Sequence, residues 1–259
     1  MTTLMWILVA CLAGGALSVL IAAVVAFRVR ARWVSTLVSF AVGALLGVVF
    51  LDIIPHLFED NAHPGSTAAT LLAGILVFFI LEKVLLWRHH HHHGGEDESE
   101  HGHGEHDHGR SGWMIIFGDS FHNFTDGVII AAAFLADVKL GVVTSLAIIA
   151  HEIPQEIGDF VVLLHSGFSK KRALLWNLIS GLAAVVGALL AYFALSHVSG
   201  WIPEILAFAA ASMIYVAVAD LIPGLHKRTA VAESMGQVAF IALGIASIWV
   251  IHAVLFPEI

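Results

Sequence analysis

Stretches of apolar residues long enough to cross a lipid bilayer recur along this chain of 259 residues. A helix of about 20 apolar residues crosses a membrane core of roughly 30 Å. A backbone in lipid must satisfy its own hydrogen bonds, and an apolar segment of this length does so as a helix. The pattern therefore predicts eight spans, numbered 1 to 8 in chain order, at residues 4–27, 34–58, 68–87, 113–135, 142–164, 173–195, 202–222 and 238–256.

The composition agrees with a protein built into a membrane. Hydrophobic residues make up 59% of the chain, charged residues make up only 12%, and the mean hydropathy is +0.89. Soluble domains have about 25% charged residues, so a water-soluble surface is excluded. The one cysteine, Cys11, lies in an apolar run, which excludes both a disulfide framework and a thiolate metal site. A metal ion would have to be bound by His, Asp, Glu, Asn or Gln.

Basic residues predict which way the spans run, because Lys and Arg near the ends of spans are retained on the cytoplasmic side. They follow the odd-numbered spans, whereas the connections after spans 2, 4 and 6 contain only Lys139. The residues concerned are Arg28, Arg30, Arg32, Arg88, Arg110, Lys170, Lys171, Arg172, Lys227 and Arg228. We therefore expect both termini outside and the connection between spans 3 and 4 in the cytosol, in a bacterial inner (plasma) membrane.

Spans 2 and 7 share a sequence pattern. Residues 40–55, which end in the letters DIIP, align without gaps on residues 208–223, which end in DLIP. The two spans are expected to run in opposite directions, and transporters bind substrates at the interface between such inverted repeats. The pattern indicates that spans 1–3 and 6–8 are related halves; a D-x-I-P shared by chance is the alternative.

Side chains that are costly to insert into a membrane are concentrated on spans 4 and 5. An acid near the centre of a membrane helix costs about 2.5 to 3.5 kcal/mol, so the five carboxylates here would oppose insertion by more than about 10 kcal/mol. At about 100° per residue, the polar groups lie on one face of each span, within roughly 100° on span 4 and roughly 140° on span 5. These polar stripe residues are Asp119, His122, Asn123 and Asp126 on span 4, and His151, Glu152, Gln155, Glu156 and Asp159 on span 5. Neither stripe contains Lys or Arg. We therefore expect a metal ion or protons to supply the positive charge; a buried salt-bridged or hydrogen-bonded core is the alternative.

The spacing within each stripe suits metal binding. His122 and Asp126 form an i,i+4 pair, about 6 Å apart along the axis, and His151 and Gln155 repeat that spacing on span 5. Imidazole and carboxylate ligands suit zinc, iron(II) and manganese, and a site without thiolate can release its ion. Pro154 cannot donate a backbone hydrogen bond, and backbone groups freed at membrane depth are tolerated where they line a cavity. The two stripes therefore predict a path for a divalent transition-metal ion.

Residues 122–127, HNFTDG, and residues 151–160, HEIPQEIGDF, resemble the fourth and fifth transmembrane signatures of the ZIP (Zrt-, Irt-like) metal transporters, particularly the branch whose fifth helix reads HEIPHEIGDF. The similarity extends to eight spans and a histidine-rich cytosolic loop between spans 3 and 4. The resemblance implies an all-helical 3+2+3 bundle in one transmembrane domain, with the metal path along spans 4 and 5. It also implies zinc, or another divalent transition metal, as a substrate moved into the cytosol by a homodimer. We expect no enzymatic activity and no nucleic-acid partner.

Carried over position by position, the resemblance implies a metal site formed by His122, Asp126, His151 and Gln155, with Asn123 and Glu152 beside it. Gln155 stands where the nearest branch has a second histidine, so we expect altered affinity or selectivity. Some bacterial relatives have a glutamate on span 6 that completes a second metal position. Residues 180–184 contain no glutamate, which argues against a complete two-metal centre.

Further polar residues are candidates for the pathway of the ion. Asp52 and His56 lie near the outer end of span 2, and Asp220 and His226 near the inner end of span 7, as expected for the entrance and exit of an ion. The alternative is that these four residues are simply solvated at the ends of their helices. The candidate pathway residues are Asp52, His56, Asp119, Glu156, Asp159, Asp220 and His226. Three remaining histidines near span ends are expected to be ordinarily solvated: His165, His197 and His252.

Residues 88–112 form a segment rich in His, Asp and Glu that holds nine of the 17 histidines. It lacks apolar residues, so it is expected to be disordered. Imidazoles among carboxylates bind zinc-like ions weakly, which suggests metal capture in the cytosol; a passive linker and an engineered tag are the alternatives. The candidate ligands are His89, His90, His91, His92, His93, His101, His103, His106 and His108.

Two other functional classes share part of this pattern. His151 and Glu152 begin like the HExxH of intramembrane zinc proteases, but Gln155 replaces the second histidine. Efflux carriers of the cation diffusion facilitator type also have a histidine-rich loop, but they have six spans and a soluble C-terminal domain, which this sequence does not predict. The direction of transport rests on the resemblance, and zinc, iron(II), manganese and cadmium stay open as substrates.

Overall fold

The computed structural model describes residues 2–28, 31–59, 64–90, 110–227 and 230–255. Every regular element in these ranges is a helix. We number the helices α1 to α8. The first four are α1 (Thr3–Arg28), α2 (Ala31–Val48, then a π-helical turn Val49–Ile53, then Ile54–Glu59), α3 (Pro64–His90) and α4 (Arg110–Ala136). The others are α5 (Val138–His165), α6 (Lys170–Gly181 and Ala183–Leu195), α7 (Ile202–Tyr215, then a π-helical turn Val216–Leu221, then Ile222–His226) and α8 (Val231–Leu255).

The prediction of an all-helical membrane protein is confirmed. Each predicted span lies on one of these helices, apart from Phe256, which is outside the described residues. Six helical segments are long and apolar enough to cross a membrane: Thr3–Val25, Val34–Phe58, Pro64–Leu81, Lys170–Leu195, Ile202–His226 and Val231–Val254. The other two helices, α4 and α5, are 27 and 28 residues long and contain the polar stripe residues.

Local sequence signals explain where α5 and α6 begin. Asp137 precedes α5, and its carboxylate accepts hydrogen bonds from the backbone N–H groups of Lys139 (2.8 Å) and Leu140 (3.2 Å). Ser169 caps α6 in the same way. These bonds satisfy N–H groups that have no partner within the helix. The turn between the two helices contains Gly167 at a φ of +86°, a conformation that side chains with a Cβ rarely adopt.

Glycines let α4 approach α6 closely. A Cβ atom at Gly127 of α4 would collide with the carbonyl oxygen of Ala184 in α6. A Cβ atom at Gly187 of α6 would likewise collide with the carbonyl oxygen of Phe124 in α4. Small residues at such positions allow backbone-to-backbone packing, which is how helices associate in a membrane. The backbones of α4 and α6 are therefore in close contact at these positions.

The same kind of contact joins α2 to α8. A Cβ atom at Gly43 would collide with the carbonyl oxygen of Ile241, and one at Gly244 with the carbonyl oxygen of Phe40.

The helices α4 and α5 contact each other; α4 also packs against α1, α6 and α7, and α5 against α1, α2, α6 and α8. The helices that surround this pair include α3, which packs against α7. The polar stripes are therefore enclosed by other helices instead of facing outwards.

Candidate metal centre

Four polar side chains converge where α4 meets α5. They are His122 and Asp126 from α4, and His151 and Glu152 from α5. One ligand atom from each residue lies within 4.8 Å of the corresponding atom of every other. Two of the four are one helical turn apart on α4 and the other two are adjacent on α5, so each helix contributes one imidazole and one carboxylate. A cluster of two imidazoles and two carboxylates is a chemically complete ligand set for a divalent transition metal.

The distances within the cluster are close to those of hydrogen bonds. His122 Nε2 lies 3.1 Å from His151 Nε2 and 3.4 Å from Oε1 of Glu152. His151 Nε2 lies 3.3 Å from Oδ2 of Asp126 and 3.6 Å from the same Glu152 oxygen. His122 Nε2 lies 3.8 Å from Oδ2 of Asp126. Nitrogen and oxygen atoms of all four side chains thus point at one small volume.

The hydrogen bonds of His151 orient its ring towards this volume. Its Nδ1 lies 3.4 Å from the backbone carbonyl oxygen of Ala147, one turn earlier on α5. A proton on Nδ1 directed at this carbonyl leaves the lone pair of Nε2 facing the cluster. A second bond of this kind commonly fixes the orientation of a metal-binding histidine.

The cluster is buried and short of positive charge. The side chains of Asp126, His151 and Glu152 are at most 5% exposed, whereas that of His122 is 20% exposed. Glu152 has two oxygens without a hydrogen-bond partner, and Oδ2 of Asp126 also lacks one. A buried carboxylate without a compensating cation or donor is costly. The cluster could therefore hold a metal ion, and His122 is its most exposed member.

The other two predicted site residues lie beside this cluster. Asn123 is 2% exposed, and its amide donates to the side chain of Asp119 (2.9 Å) and to the backbone carbonyl of the same residue (3.2 Å). Gln155 lies one turn after His151 and is partly buried. The resemblance gave Gln155 the more central position, whereas the measured distances bring the carboxylate of Glu152 between the two imidazoles.

The remaining stripe residues continue along α4 and α5 from the cluster. Asp119 is 4% exposed and Glu156 is fully buried, with one and two carboxylate oxygens, respectively, that lack a hydrogen-bond partner. Asp159 is partly buried. On α7, both Asp220 and His226 are exposed.

Helix α6 adds two polar residues that the sequence did not single out. Asn177 and Ser180 are 2% and 1% exposed, and the amide of Asn177 lies 3.5 Å from the backbone carbonyl oxygen of Glu156. The available signal was a pair of polar side chains three residues apart within span 6. It was weak, because inserting Asn or Ser into a membrane costs far less than inserting the carboxylates of α4 and α5.

The prediction for His252 was wrong. This residue was expected to be ordinarily solvated, but its Nδ1 contacts Oδ1 of Asp52 at 2.5 Å. The two residues are 200 positions apart in the chain, so no helical spacing could have paired them. His165 and His197 instead bond to the carbonyl oxygens of Val161 (2.8 Å) and Phe193 (2.7 Å), each four residues earlier in the chain.

The histidine-rich segment cannot be compared with its prediction. His91, His92, His93, His101, His103, His106 and His108 lie outside the described residues, as do the side chains of His89 and His90.

The chain is similar to proteins of known class along almost its whole length. A family model described as ZIP Zinc transporter matches residues 1–252. The relatives include "Zinc transporter ZIP13" of Pongo abelii, 32% identical over 226 residues, which cover 81% of this chain and 64% of that protein. "Zinc transporter ZIP4" of Homo sapiens is 32% identical over 252 residues, which cover 74% of this chain and 38% of that protein. "Zinc transporter ZIP10" of Danio rerio is 41% identical over 123 residues, which cover 45% and 14%. The chain thus spans less than two thirds of the length of these three relatives.

Proposed function

The chain belongs to the ZIP family of zinc transporters, and from that membership and the cluster between α4 and α5 we propose that it carries a divalent transition-metal ion, zinc first, across a membrane. Members of this family are transporters and not enzymes, which removes the zinc protease alternative. The apolar helices and the family together make it an integral membrane protein. Iron(II), manganese and cadmium are the competing substrates.

One observation carries the proposal: the four ligand atoms are spaced as they would be around a single ion. Zinc bonds to nitrogen and oxygen are about 2.0 to 2.2 Å long, so two ligands on a tetrahedral zinc ion are about 3.3 Å apart. Five of the six separations between the ligand atoms run from 3.1 to 3.8 Å, and all six are within 4.8 Å. Only small side-chain movements are needed to bind an ion. We propose Asn123 and Gln155 as additional ligands.

The arrangement of the helices supports an inverted repeat around α4 and α5. If α1, α2 and α3 are exchanged with α6, α7 and α8, and α4 with α5, the main contacts are reproduced: α1 on α5 becomes α6 on α4, and α2 on α8 becomes α7 on α3. The π-helical turns Val49–Ile53 and Val216–Leu221 also fall at equivalent positions of the aligned segments 40–55 and 208–223. We therefore favour eight spans in a 3+2+3 order, with the metal at the repeat interface.

We propose transport into the cytosol on the basis of the family, and the basic residues predict how the helices are oriented along that path. With both termini outside, α4 runs outwards and α5 runs inwards. Asp119, Glu156 and Asp159 then continue the stripe from the cluster towards the cytosol, with Asp220 and His226 at the inner end of α7, while Asp52 and His56 lie at the outer end of α2. The ion would pass from the outer pair to the cluster and leave along the inner carboxylates towards the histidine-rich loop, in a homodimer.

Zinc uptake by purified protein in liposomes tests this function. Liposomes with wild-type protein are expected to accumulate zinc, and His122→Ala and His151→Ala are each expected to abolish the gain because each removes one of two imidazoles. His165→Ala is the matched control, since that histidine lies on α5 but bonds only to its own helix. Equal uptake by wild type and both cluster variants would contradict the site; no uptake by wild type would contradict the function.

A further inference from the structure

A second histidine and carboxylate pair joins α8 to α2, away from the metal cluster. Asp52 lies in the π-helical turn Val49–Ile53, and its Oδ1 contacts Nδ1 of His252 on α8 at 2.5 Å. The carboxylate is buried, with 4% of its side chain exposed, while 46% of the His252 side chain is exposed. Asp52 is therefore the buried member of the pair, and His252 is the member that is accessible at the surface of the protein.

The geometry of the pair leaves one nitrogen of His252 available. A proton on Nδ1 donated to Asp52 places the lone pair on Nε2, and among the described residues Nε2 has no hydrogen-bond partner. A histidine whose other nitrogen donates to a carboxylate has the fixed tautomer and ring orientation of metal-binding histidines. The exposed half of the ring thus presents a prepared metal ligand.

The second oxygen of the carboxylate distinguishes this pair from a simple link between helices. Oδ2 of Asp52 is buried and has no hydrogen-bond partner among the described residues. Buried polar atoms are normally satisfied when their only role is structural. A cation bound to the partner imidazole would offset the charge that this oxygen retains.

The position of the pair agrees with a role in capture. His252 is near the end of α8 and Asp52 near the end of α2, and both ends face outwards in the proposed topology. His56 lies one turn further along α2, and α2 packs against α5, which contributes His151 and Glu152 to the cluster. π-Helical turns are frequent at functional sites.

We infer that His252 is a ligand that first captures the divalent metal ion on the outer side, with Asp52 as the residue that positions its ring. This inference rests on the proposed function, because it assigns the outer end of α8 to the path of the ion. Capture governs how much metal is needed for uptake, whereas the cluster between α4 and α5 governs whether uptake occurs. The two roles therefore predict different kinetic changes.

Zinc uptake into liposomes separates the two roles. His252→Ala is expected to raise the KM for zinc on the order of tenfold with Vmax nearly unchanged, because only capture is weakened. His197→Ala is the matched control, since His197 is an exposed histidine at the outer end of α6 that bonds within its own segment, to Phe193 and Ser196. Its KM is expected to equal that of wild type.

Two further variants test the chemistry of capture and of positioning. His252→Cys offers a soft thiolate, so it is expected to recover a low KM for cadmium more fully than for zinc. Asp52→Asn keeps an oxygen that accepts the Nδ1 proton, so its KM is expected to rise less than that of Asp52→Ala. A link that only holds α8 to α2 would show neither the metal-dependent rescue nor a change confined to KM.

The outcomes that would overturn the inference are distinct from those that would overturn the function. If wild type transports zinc and His252→Ala has the wild-type KM, His252 does not capture the ion although the transporter assignment stands. If His252→Ala lowers Vmax and thermal stability with KM unchanged, the pair is only a structural link. If wild type transports no divalent metal, both proposals fail.

Discussion

Two carboxylates, Asp126 and Glu152, face two imidazoles with oxygen atoms that no hydrogen bond satisfies. Removing a carboxylate from water costs several kcal/mol even after the protein relaxes. The imidazoles offset part of this cost, but among the described residues neither stripe contains Lys or Arg. The free energy of binding a metal ion would therefore include relief of the repulsion between these two carboxylates. The groups that we propose as ligands are thus expected to destabilise the metal-free protein.

This balance predicts that Glu152→Gln has opposite effects on stability and on binding. The amide has nearly the same shape but no charge, so the free energy of unfolding of metal-free protein is expected to rise by about 1 kcal/mol. The zinc affinity is expected to fall by roughly tenfold or more. Thermal unfolding and calorimetric zinc titration of purified protein measure the two effects.

Glu204→Gln is the control for this pair of measurements, because Glu204 is an exposed acid in the first turn of α7. It is expected to change neither quantity appreciably. A Glu152→Gln protein that is less stable without metal would show that the carboxylate is compensated by groups of the protein and not by an ion.

Gln155→His introduces an imidazole at the position where the resemblance implies a second histidine. Imidazole binds zinc more strongly than an amide oxygen does, and the gain is smaller for manganese. The variant is therefore expected to take up zinc at lower concentrations and to prefer zinc over manganese more strongly than wild type. Uptake of each metal in competition measures this preference, with Gln237→His on α8 as the control. An unchanged preference would place Gln155 outside the path of the ion.

At the scale of residues, the sequence predicted contacts within helices better than contacts between them. His122, Asp126 and His151 were identified because regular helical spacing places polar side chains on one face. The pairing of Asp52 with His252 depends on how α2 packs against α8, and an apolar sequence specifies that packing only through the positions of small residues. Helical spacing therefore indicated which polar residues share a face of a helix, but not which residues of other helices they contact.

At the scale of elements, the close approach of α4 to α6 predicts a sharp difference between two glycines of α4. Gly127→Ala would force a Cβ atom against the carbonyl of Ala184, whereas a Cβ atom at Gly118 meets no neighbouring atom within 4 Å. The first change is expected to destabilise the protein by about 1 to 3 kcal/mol, since overpacking moves backbone. It should also weaken zinc binding, because Asp126 is the adjacent residue.

The control variant, Gly118→Ala, is expected to be neutral or to stabilise by about 0.5 to 1 kcal/mol, because alanine favours a helix interior over glycine. Thermal unfolding of both variants in the same detergent measures the difference. Equal melting temperatures would mean that α4 and α6 are not in backbone contact.

The lengths of the helices were largely predictable, but their irregularities were not. Apolar length alone gave helices at all eight predicted spans, because backbone in lipid has few alternatives to a helix. The π-helical turns Val49–Ile53 and Val216–Leu221 have no distinct sequence signal. They appear only when the helices are packed together, since an inserted turn is stabilised by its surroundings.

At the scale of the whole molecule, the contacts between helices are more symmetric than the sequence. The aligned segments 40–55 and 208–223 share few letters besides the D-x-I-P, yet α2 and α7 hold equivalent places beside α5 and α4. Many apolar sequences fill the same space, so symmetry persists in packing after it fades in sequence. The candidate metal cluster breaks this symmetry, because its imidazole and carboxylate are four residues apart on α4 but adjacent on α5.

The proposed orientation makes a prediction for the whole molecule. In a protein whose one native cysteine is replaced by Cys11→Ser, Ser196→Cys lies at the end of α6 and Lys171→Cys at its beginning, and both positions are exposed. Because the helix crosses the membrane between them, a maleimide that cannot enter cells is expected to label Ser196→Cys in intact cells. Lys171→Cys should be labelled only after the membrane is opened, since Lys170 and Arg172 keep that end in the cytosol. Labelling of Lys171→Cys alone in intact cells would invert the topology, and the carboxylates of Asp119, Glu156 and Asp159 would then lead from the cluster outwards, as in an exporter.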